Sequence, residues 1–355
     1  METFFLRFAE AMLRKRLRPV FVFSGEPVGW FTERLANLAV PYFVARFPLD
    51  WAGLRDLHRD LRPYRPVVMQ TFYVSPFNIH VHALKYLLRA QFLVITDHSS
   101  GAVSHKNRMF EFLARLRGQV FGLQIDMMIT ISQFQTERDV HQAYLSRPKY
   151  KTIHSGVDLE RYSPQSLEEQ KGPSTRIAFA GQLTLAKGVL TLLQAFKELL
   201  EAGIRNTELF VAGTGPQEEQ LKDYCRQHKL AQVHFLGSID SVPELFRTAD
   251  VVVVPSEWEE AFGLVVVEAM ACGTAVICSD AGGIPEVLGD SGEAGLIFRR
   301  GDISELKQKI RQLIASPETR QQMGRRGRAR AEQCFSVQKM VDGYVSVFDA
   351  LGTRA

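Results

Sequence analysis

The 355-residue chain is 46% hydrophobic and 23% charged, the balance of a globular protein with room for two domains. Its formal charge of +4 permits attraction to phosphates, nucleotides or an anionic membrane face without demanding any of them. No apolar run reaches the roughly 18 residues of a membrane span, and Cys225, Cys272, Cys278 and Cys334 form no Cys-x-x-Cys pair, which argues against a zinc ribbon and for a cytoplasmic protein.

The chain opens on a helical pattern, METFFLRFAEAML, with Phe5, Phe8, Met12 and Leu13 on or near one face. Charges run through FFLRFAEAMLRKRLR, the one candidate apolar leader, so it does not fit a signal peptide. Arg7, Arg14, Lys15 and Arg16 would suit a helix lying on a membrane. The preferred alternative is the first crossover helix of a Rossmann-like domain. The strand before such a helix is missing, and in a doubly wound sheet that strand is central. The expectation is therefore a gap in the first sheet, with Met1 an internal methionine of a protein that extends upstream.

Short β-branched or aromatic runs then alternate with helical patterns. VFVFSG, PYFVARF, VVMQTF, FLVITDHS and MMITIS read as strands in the first half, and IAFAG, ELFVAG, VHFLG, VVVVPS and TAVICSD in the second. WAGLRDLHRDL and GVLTLLQAFKELLEAG are among the intervening helices. This alternation predicts an α/β protein with two doubly wound parallel sheets, each covered on both faces. The polar stretch SPQSLEEQKGPST (163–175) separates the two series and places the boundary at or just before it. The predicted domains are 1–155, 156–335 and a closing helix, 336–355.

The second half carries the chemistry. In FAGQLTLAKGV (179–189), Lys187 and Gly188 stand where a loop turns into a helix, a place for an anion to meet a cation and unpaired N–H groups. A solvated surface lysine is the plain alternative. VAGTGP (211–216) lacks the third glycine of a dinucleotide fingerprint and predicts turn geometry. VHFLGSID (233–240) ends a strand at Gly237, where a flat base could approach the backbone. The loop after VVVV carries Glu257, Glu259 and Glu260, Phe262 and Gly263 open a helix, and Glu268 lies five residues beyond Gly263. A diphosphate on that helix end would set a sugar beside Glu260 and a ribose beside Glu268, since carboxylates accept hydrogen bonds from vicinal hydroxyls. Two acids on an exposed helix edge would give the same residues no function.

Taken together, HSGVDLERYSP (154–164), GQLTLAKG (181–188), AGTGP (212–216), FLG (235–237) and EAFGLVVVEAMACGTAVICSDAGGIPE (260–286) resemble the retaining glycosyltransferases of family 4. The resemblance is strongest over about residues 150–300 and continues more weakly in TDHSSG (96–101) and MMITISQF (127–134). It implies the GT-B fold of two facing Rossmann-like domains, with FSVQKMVDGYVSVFDAL as a helix that packs back on the first. By the same resemblance Glu260 holds hydroxyls of the transferred sugar, Glu268 holds the ribose, and Lys187 neutralises the diphosphate with backbone N–H groups of Phe262, Gly263 and Leu264. His98 matches the histidine that approaches the donor sugar from the first domain. Gln182 stands where the family often has Arg, so one phosphate contact would be neutral. Gly282 and Gly283 are expected only to shape a turn.

The implied activity is transfer of a hexosyl group from a nucleotide diphosphate sugar to a hydroxyl of a sugar, lipid-linked or small-molecule acceptor, in polysaccharide or glycan assembly. No Asp-x-Asp signature is present, so no metal and no cofactor are expected. A nucleotide-sugar epimerase and a non-catalytic or truncated nucleotide-sugar-binding protein remain as alternatives. RRGRAR (325–330) is taken as a solvated helix face rather than a nucleic-acid contact, with anionic lipid as another use if the protein is peripheral at the inner face of a membrane.

Overall fold

The structure, a computed structural model, describes residues 2–47, 50–101, 108–141, 149–164, 174–289, 292 and 294–352. Met1, and residues 165–173 of the stretch read as a domain boundary, lie outside the described residues. The chain divides into two compact units: Met1–Ser99, Val103–Gly156 and Val337–Ala355 form the first, and Ser100–Ala102 with Val157–Ser336 the second.

The first unit alternates α1 (Glu2–Arg14), β1 (Phe21–Phe23), α2 (Gly29–Asn37), β2 (Tyr42–Val44), α3 (Trp51–Leu61) and β3 (Val68–Phe72). It continues through α4 (Ile79–Leu88), β4 (Phe92–Thr96), α5 (Arg108–Gly122), β5 (Met127–Thr130), α6 (Gln133–His141) and β6 (Tyr150–Thr152). The second unit holds β7 (Thr175–Ala180), α7 (Val189–Glu201), β8 (Thr207–Ala212), α8 (Glu218–Gln227), β9 (Val233–Gly237), α9 (Val242–Thr248) and β10 (Val251–Val254). After these come α10 (Leu264–Ala271), β11 (Ala275–Ser279), α11 (Ile284–Leu288), β12 (Leu296–Phe298), α12 (Ile303–Ala315) and α13 (Pro317–Cys334). The last helix, α14 (Val337–Ala350), returns to the first unit.

Each strand named from the sequence is present, and every named pairing is parallel. The sequence analysis missed the short strands β6 (YKT) and β12 (LIF). In the second unit the order is β12-β11-β10-β7-β8-β9. Successive strands run outward from β7 on one side and from β10 on the other, so the topological switch lies between these two neighbours. Their all-buried partners, VVVV in β10 and AVICS in β11, are the continuous apolar runs that a sheet covered on both faces requires.

The first unit is built differently. Its ladder β3-β4-β5-β6 is separate from the pair β1-β2. Both pieces nevertheless belong to one layer. Phe5 of α1 packs 5.6 Å from Phe21 on β1 and 5.3 Å from Phe72 on β3. On the opposite face Val22 and Met69 both pack on Leu54, Leu57, Leu84 and Leu88 of α3 and α4. The layer is thus interrupted between β1 and β3. Helix α1 is a core helix: Phe4, Phe8, Ala11 and Met12 pack with Val337, Met340, Val341, Tyr344 and Val347 of α14. That burial removes the apolar face a membrane-surface helix would need.

Candidate active site

The loops that follow β7 and β10 meet at the switch point of the second unit, the position where open parallel sheets hold ligands. After β7 the chain makes a single 3-10 turn, Leu185–Lys187, which Gly188 ends at φ 65°. A Cβ on Gly188 would stand 1.9 Å from the Pro255 carbonyl oxygen, so only glycine lets the two loops touch. The N–H groups of Glu257 and Trp258 donate to the Ala186 carbonyl at 2.8 and 3.2 Å, and Thr191 donates to the Glu257 carboxylate. This stitching puts Lys187 Nζ 2.7 Å from Glu260 Oε1. Ser256 Oγ donates to the same oxygen at 2.7 Å, and the Ser256 carbonyl in turn accepts from Ser279 Oγ on β11 at 2.7 Å. Lys187 is 34% exposed and Glu260 16%, so the pair is half-desolvated but open to a ligand.

Gly263 begins α10 at φ 101° with no side-chain cap on the helix. Its uncapped first turn is an anion site in principle. Phe262 turns its ring into the core against Phe335, and Leu264 is exposed, so what Phe262 can offer a ligand is backbone. Gln182 is exposed at the end of β7, and Gly237 ends β9 with its carbonyl accepting from Gly213 N–H at 2.7 Å. Glu268 lies mid-helix on α10 and is hydrogen-bonded to the Tyr162 hydroxyl. Burial pushes its carboxyl above the ordinary value, opposed by that bond and by Arg161.

In the first unit His98 follows β4. Its ring stacks on Tyr73 with centroids 4.1 Å apart and planes 14° from parallel. Nε2 is buried without a hydrogen-bond partner. Burial outweighs the neighbouring Asp97 charge and pushes the imidazole down to about 4, so it is neutral at pH 7.

The family description "Glycosyltransferase Family 4" matches residues 1–161, and "Glycosyl transferases group 1" matches residues 164–330. An uncharacterized glycosyltransferase of Methanocaldococcus jannaschii is 32% identical over 267 residues, 73% of this chain and 68% of that protein. The chain belongs to glycosyltransferase family 4. The glycosyltransferase also has the fold of solved structures too distant in sequence to show more. One from Rickettsia africae gives a TM-score of 0.82 at 16% identity, covering 100% of this chain and 95% of that one. The Anabaena protein HepE, in complex with UDP and glucose, gives 0.77 at 19% identity, covering 99% and 95%. These are GT-B structures, and the α/β architecture of the glycosyltransferase is theirs.

Two expectations change. Gly282 does more than shape a turn: a Cβ there would stand 2.2 Å from the Glu260 carbonyl oxygen, which also accepts from Gly283 N–H at 2.8 Å. The GGIPE segment therefore seats the backbone of Glu260. RRGRAR is not a uniformly solvated face. Arg328 turns inward to the Ala271 and Tyr162 carbonyls at 2.6 and 2.7 Å, and Arg330 to the Val287 carbonyl at 2.7 Å. Arg325 and Arg326 remain exposed.

Ser256, Tyr162, Tyr73, Arg138 and Asp139 went unnoticed in the sequence. Ser256 sits in the VVVVPS segment already quoted, so its place four residues before Glu260 was an available signal. Tyr162 likewise stands in the quoted HSGVDLERYSP, whereas Tyr73, Arg138 and Asp139 act from distant segments through side chains, and no spacing announces them.

Proposed function

We propose that this glycosyltransferase moves a hexosyl group from a nucleotide diphosphate sugar to an acceptor hydroxyl with retention of anomeric configuration. The observation that carries the reading is the Lys187–Glu260 pair at the β7/β10 switch point, three residues before the uncapped start of α10. Lys187 and the first N–H groups of α10 would meet the charge that grows on the departing diphosphate, already oriented before the bond breaks. Glu260, an acceptor only when ionised, would bind sugar hydroxyls, and Glu268 the ribose hydroxyls. The anomeric carbon–oxygen bond to the diphosphate breaks, and the acceptor oxygen bonds to that carbon on the same face. The acceptor proton leaves with the phosphate oxygen. Neither glutamate then needs the covalent role of a retaining glycosidase carboxylate.

The second unit is assigned the donor and the first the acceptor. His98 is assigned a sugar hydroxyl: a neutral imidazole with an unsatisfied Nε2 can hydrogen-bond there without adding charge. HepE's complex with UDP and glucose favours a UDP-sugar as the first donor to try. A sugar or lipid-linked acceptor and transient contact with a membrane face complete the proposal. Among the described residues no helix is long and apolar enough to cross a membrane.

Calorimetric titration with UDP, GDP and ADP tests the donor site. One of them should bind, and Glu268→Ala should weaken it. Unchanged affinity in that variant would make the ribose assignment wrong. The anomeric configuration of the product, read by NMR coupling constants, decides retention.

A further inference from the structure

His98 sits in the three-residue turn Asp97–Ser99, and the residues on either side of it are tied together. Ser99 donates its N–H to Asp97 Oδ1 at 2.8 Å and its hydroxyl to Asp97 Oδ2 at 2.9 Å. A second set of bonds comes from α6, about forty residues further along the chain. Arg138 Nη1 donates to the Ser99 carbonyl at 2.8 Å, and Nη2 to Asp97 Oδ2 at 3.1 Å and Ser99 Oγ at 3.0 Å. Gln135 Nε2 reaches the same Ser99 carbonyl at 3.4 Å. The far side of the guanidinium rests on Asp139 Oδ1, at 3.0 Å from Nε and 2.8 Å from Nη2.

This arrangement is costly. Arg138 is 5% exposed and Asp139 0%, and Asp139 Oδ2 is buried with no partner. Gln135, Thr136, Arg138 and Asp139 are all buried, so α6 turns a polar face inward. Apolar residues of similar volume at such sites are often neutral or stabilising, so fold stability alone does not explain the network. Its bonds converge on the residues before and after His98 and leave the imidazole untouched. The planar fork of an arginine is suited to hold a carboxylate and a carbonyl at once.

We infer that Arg138, backed by Asp139, is a positioning residue that sets the His98 turn for sugar transfer. The inference rests on the assignment of His98 above. Arg138 holds both flanks of the turn, Tyr73 holds the ring, and Nε2 is thereby aimed in one direction.

The test compares Arg138→Lys and the double variant Arg138→Gln/Asp139→Asn with the parent and with His98→Ala. The full chain is used throughout, with UDP-glucose and released UDP as the readout if UDP binds, or the counterpart of whichever diphosphate does. UDP affinity and melting temperature serve as controls. Lysine keeps the charge but cannot span the carboxylate and the carbonyl, and the double variant removes the charges at 138 and 139 together, leaving only Asp97, which is 16% exposed and keeps its two bonds from Ser99.

The expected result is kcat lowered roughly 10- to 100-fold in both variants, the scale of a catalytic group misplaced by about 1 Å, with UDP affinity unchanged. In a His98→Ala background the same changes should cost almost nothing further, because they act through His98. A parental kcat in both variants alongside an impaired His98→Ala would overturn the inference while sparing His98. Equal losses with and without His98 would also overturn it, by showing a structural role only. A parental kcat in His98→Ala would instead remove the assignment on which the inference rests.

Discussion

The two units hold their candidate residues by different physical means. In the second, Lys187 and Glu260 are placed by backbone touching backbone. Gly188 lies against the Pro255 carbonyl and Gly282 against the Glu260 carbonyl, with N–H groups of one loop donating to the next. In the first, His98 is placed by buried charges: Asp97, Arg138 and Asp139 share one guanidinium. Backbone contact is short, rigid and nearly indifferent to pH. A charge network reaches further but carries desolvation costs and titrates. The difference also decides what shows in a sequence, because close approach demands glycine at a fixed spacing and a charge network demands no spacing at all.

The largest effect should come from filling the glycine contacts. Gly188→Ala combines a left-handed backbone with a Cβ 1.9 Å from a carbonyl oxygen, and Gly282→Ala meets the Glu260 carbonyl at 2.2 Å. Each should cost about 4 kcal/mol or more in chemical denaturation, beyond the 1–3 kcal/mol of the backbone strain alone. Near-parental stability would mean that the loops are not locked by contact.

Next is Arg138→Met, which strands two acids in the first unit. A loss of about 3–5 kcal/mol is expected, and Arg138→Gln/Asp139→Asn should lose clearly less. If the single and double variants lost equally, the network would not be behaving as paired charge.

Glu268→Gln comes third. It keeps volume but, on the proposed ribose role, accepts more weakly from two hydroxyls, so affinity for the nucleoside diphosphate should fall roughly tenfold, about 1.4 kcal/mol. The fold should stay intact, because burial already pushes the Glu268 carboxyl up and the neutral amide removes that strain.

The smallest effect is a slope. Burial and the Asp97 charge push Asp139 up to about 7 from the usual 3.8. Between these values the folded chain keeps a proton that the unfolded chain releases. Its stabilising contribution is complete below pH 4 and is lost as pH rises through about 7. His98 has the opposite sign. Its folded value is depressed to about 4 from 6.5, so its contribution is present above 6.5 and is lost as pH falls towards 4. Asp139→Asn should therefore remove the decline towards pH 7 and uncover the rise contributed by His98. An identical pH profile of melting temperature in parent and variant would contradict the raised Asp139.

The alternation of β-branched runs and helical patterns was enough to name ten of the strands and the α/β class, because parallel strands covered on both faces must be continuously apolar. Glu260, Glu268, Lys187 and Gly188 could be named residue by residue, since loop glycines and acids at a helix start recur at set distances. The order of strands across each sheet was not legible. Neither was the switch between β7 and β10 that brings Lys187 to Glu260, because both depend on contacts far apart in the chain. RRGRAR shows the limit most clearly. Four arginines in six residues suggest solvent, yet Arg328 and Arg330 hold buried carbonyls, as only the packing of α13 could decide. The sequence by itself determined which groups are proposed to meet phosphate, sugar and ribose. Tertiary structure decided which of them meet, and it chose Arg138 and Asp139 to fix the His98 turn, because partners brought together by folding need share no period along the chain.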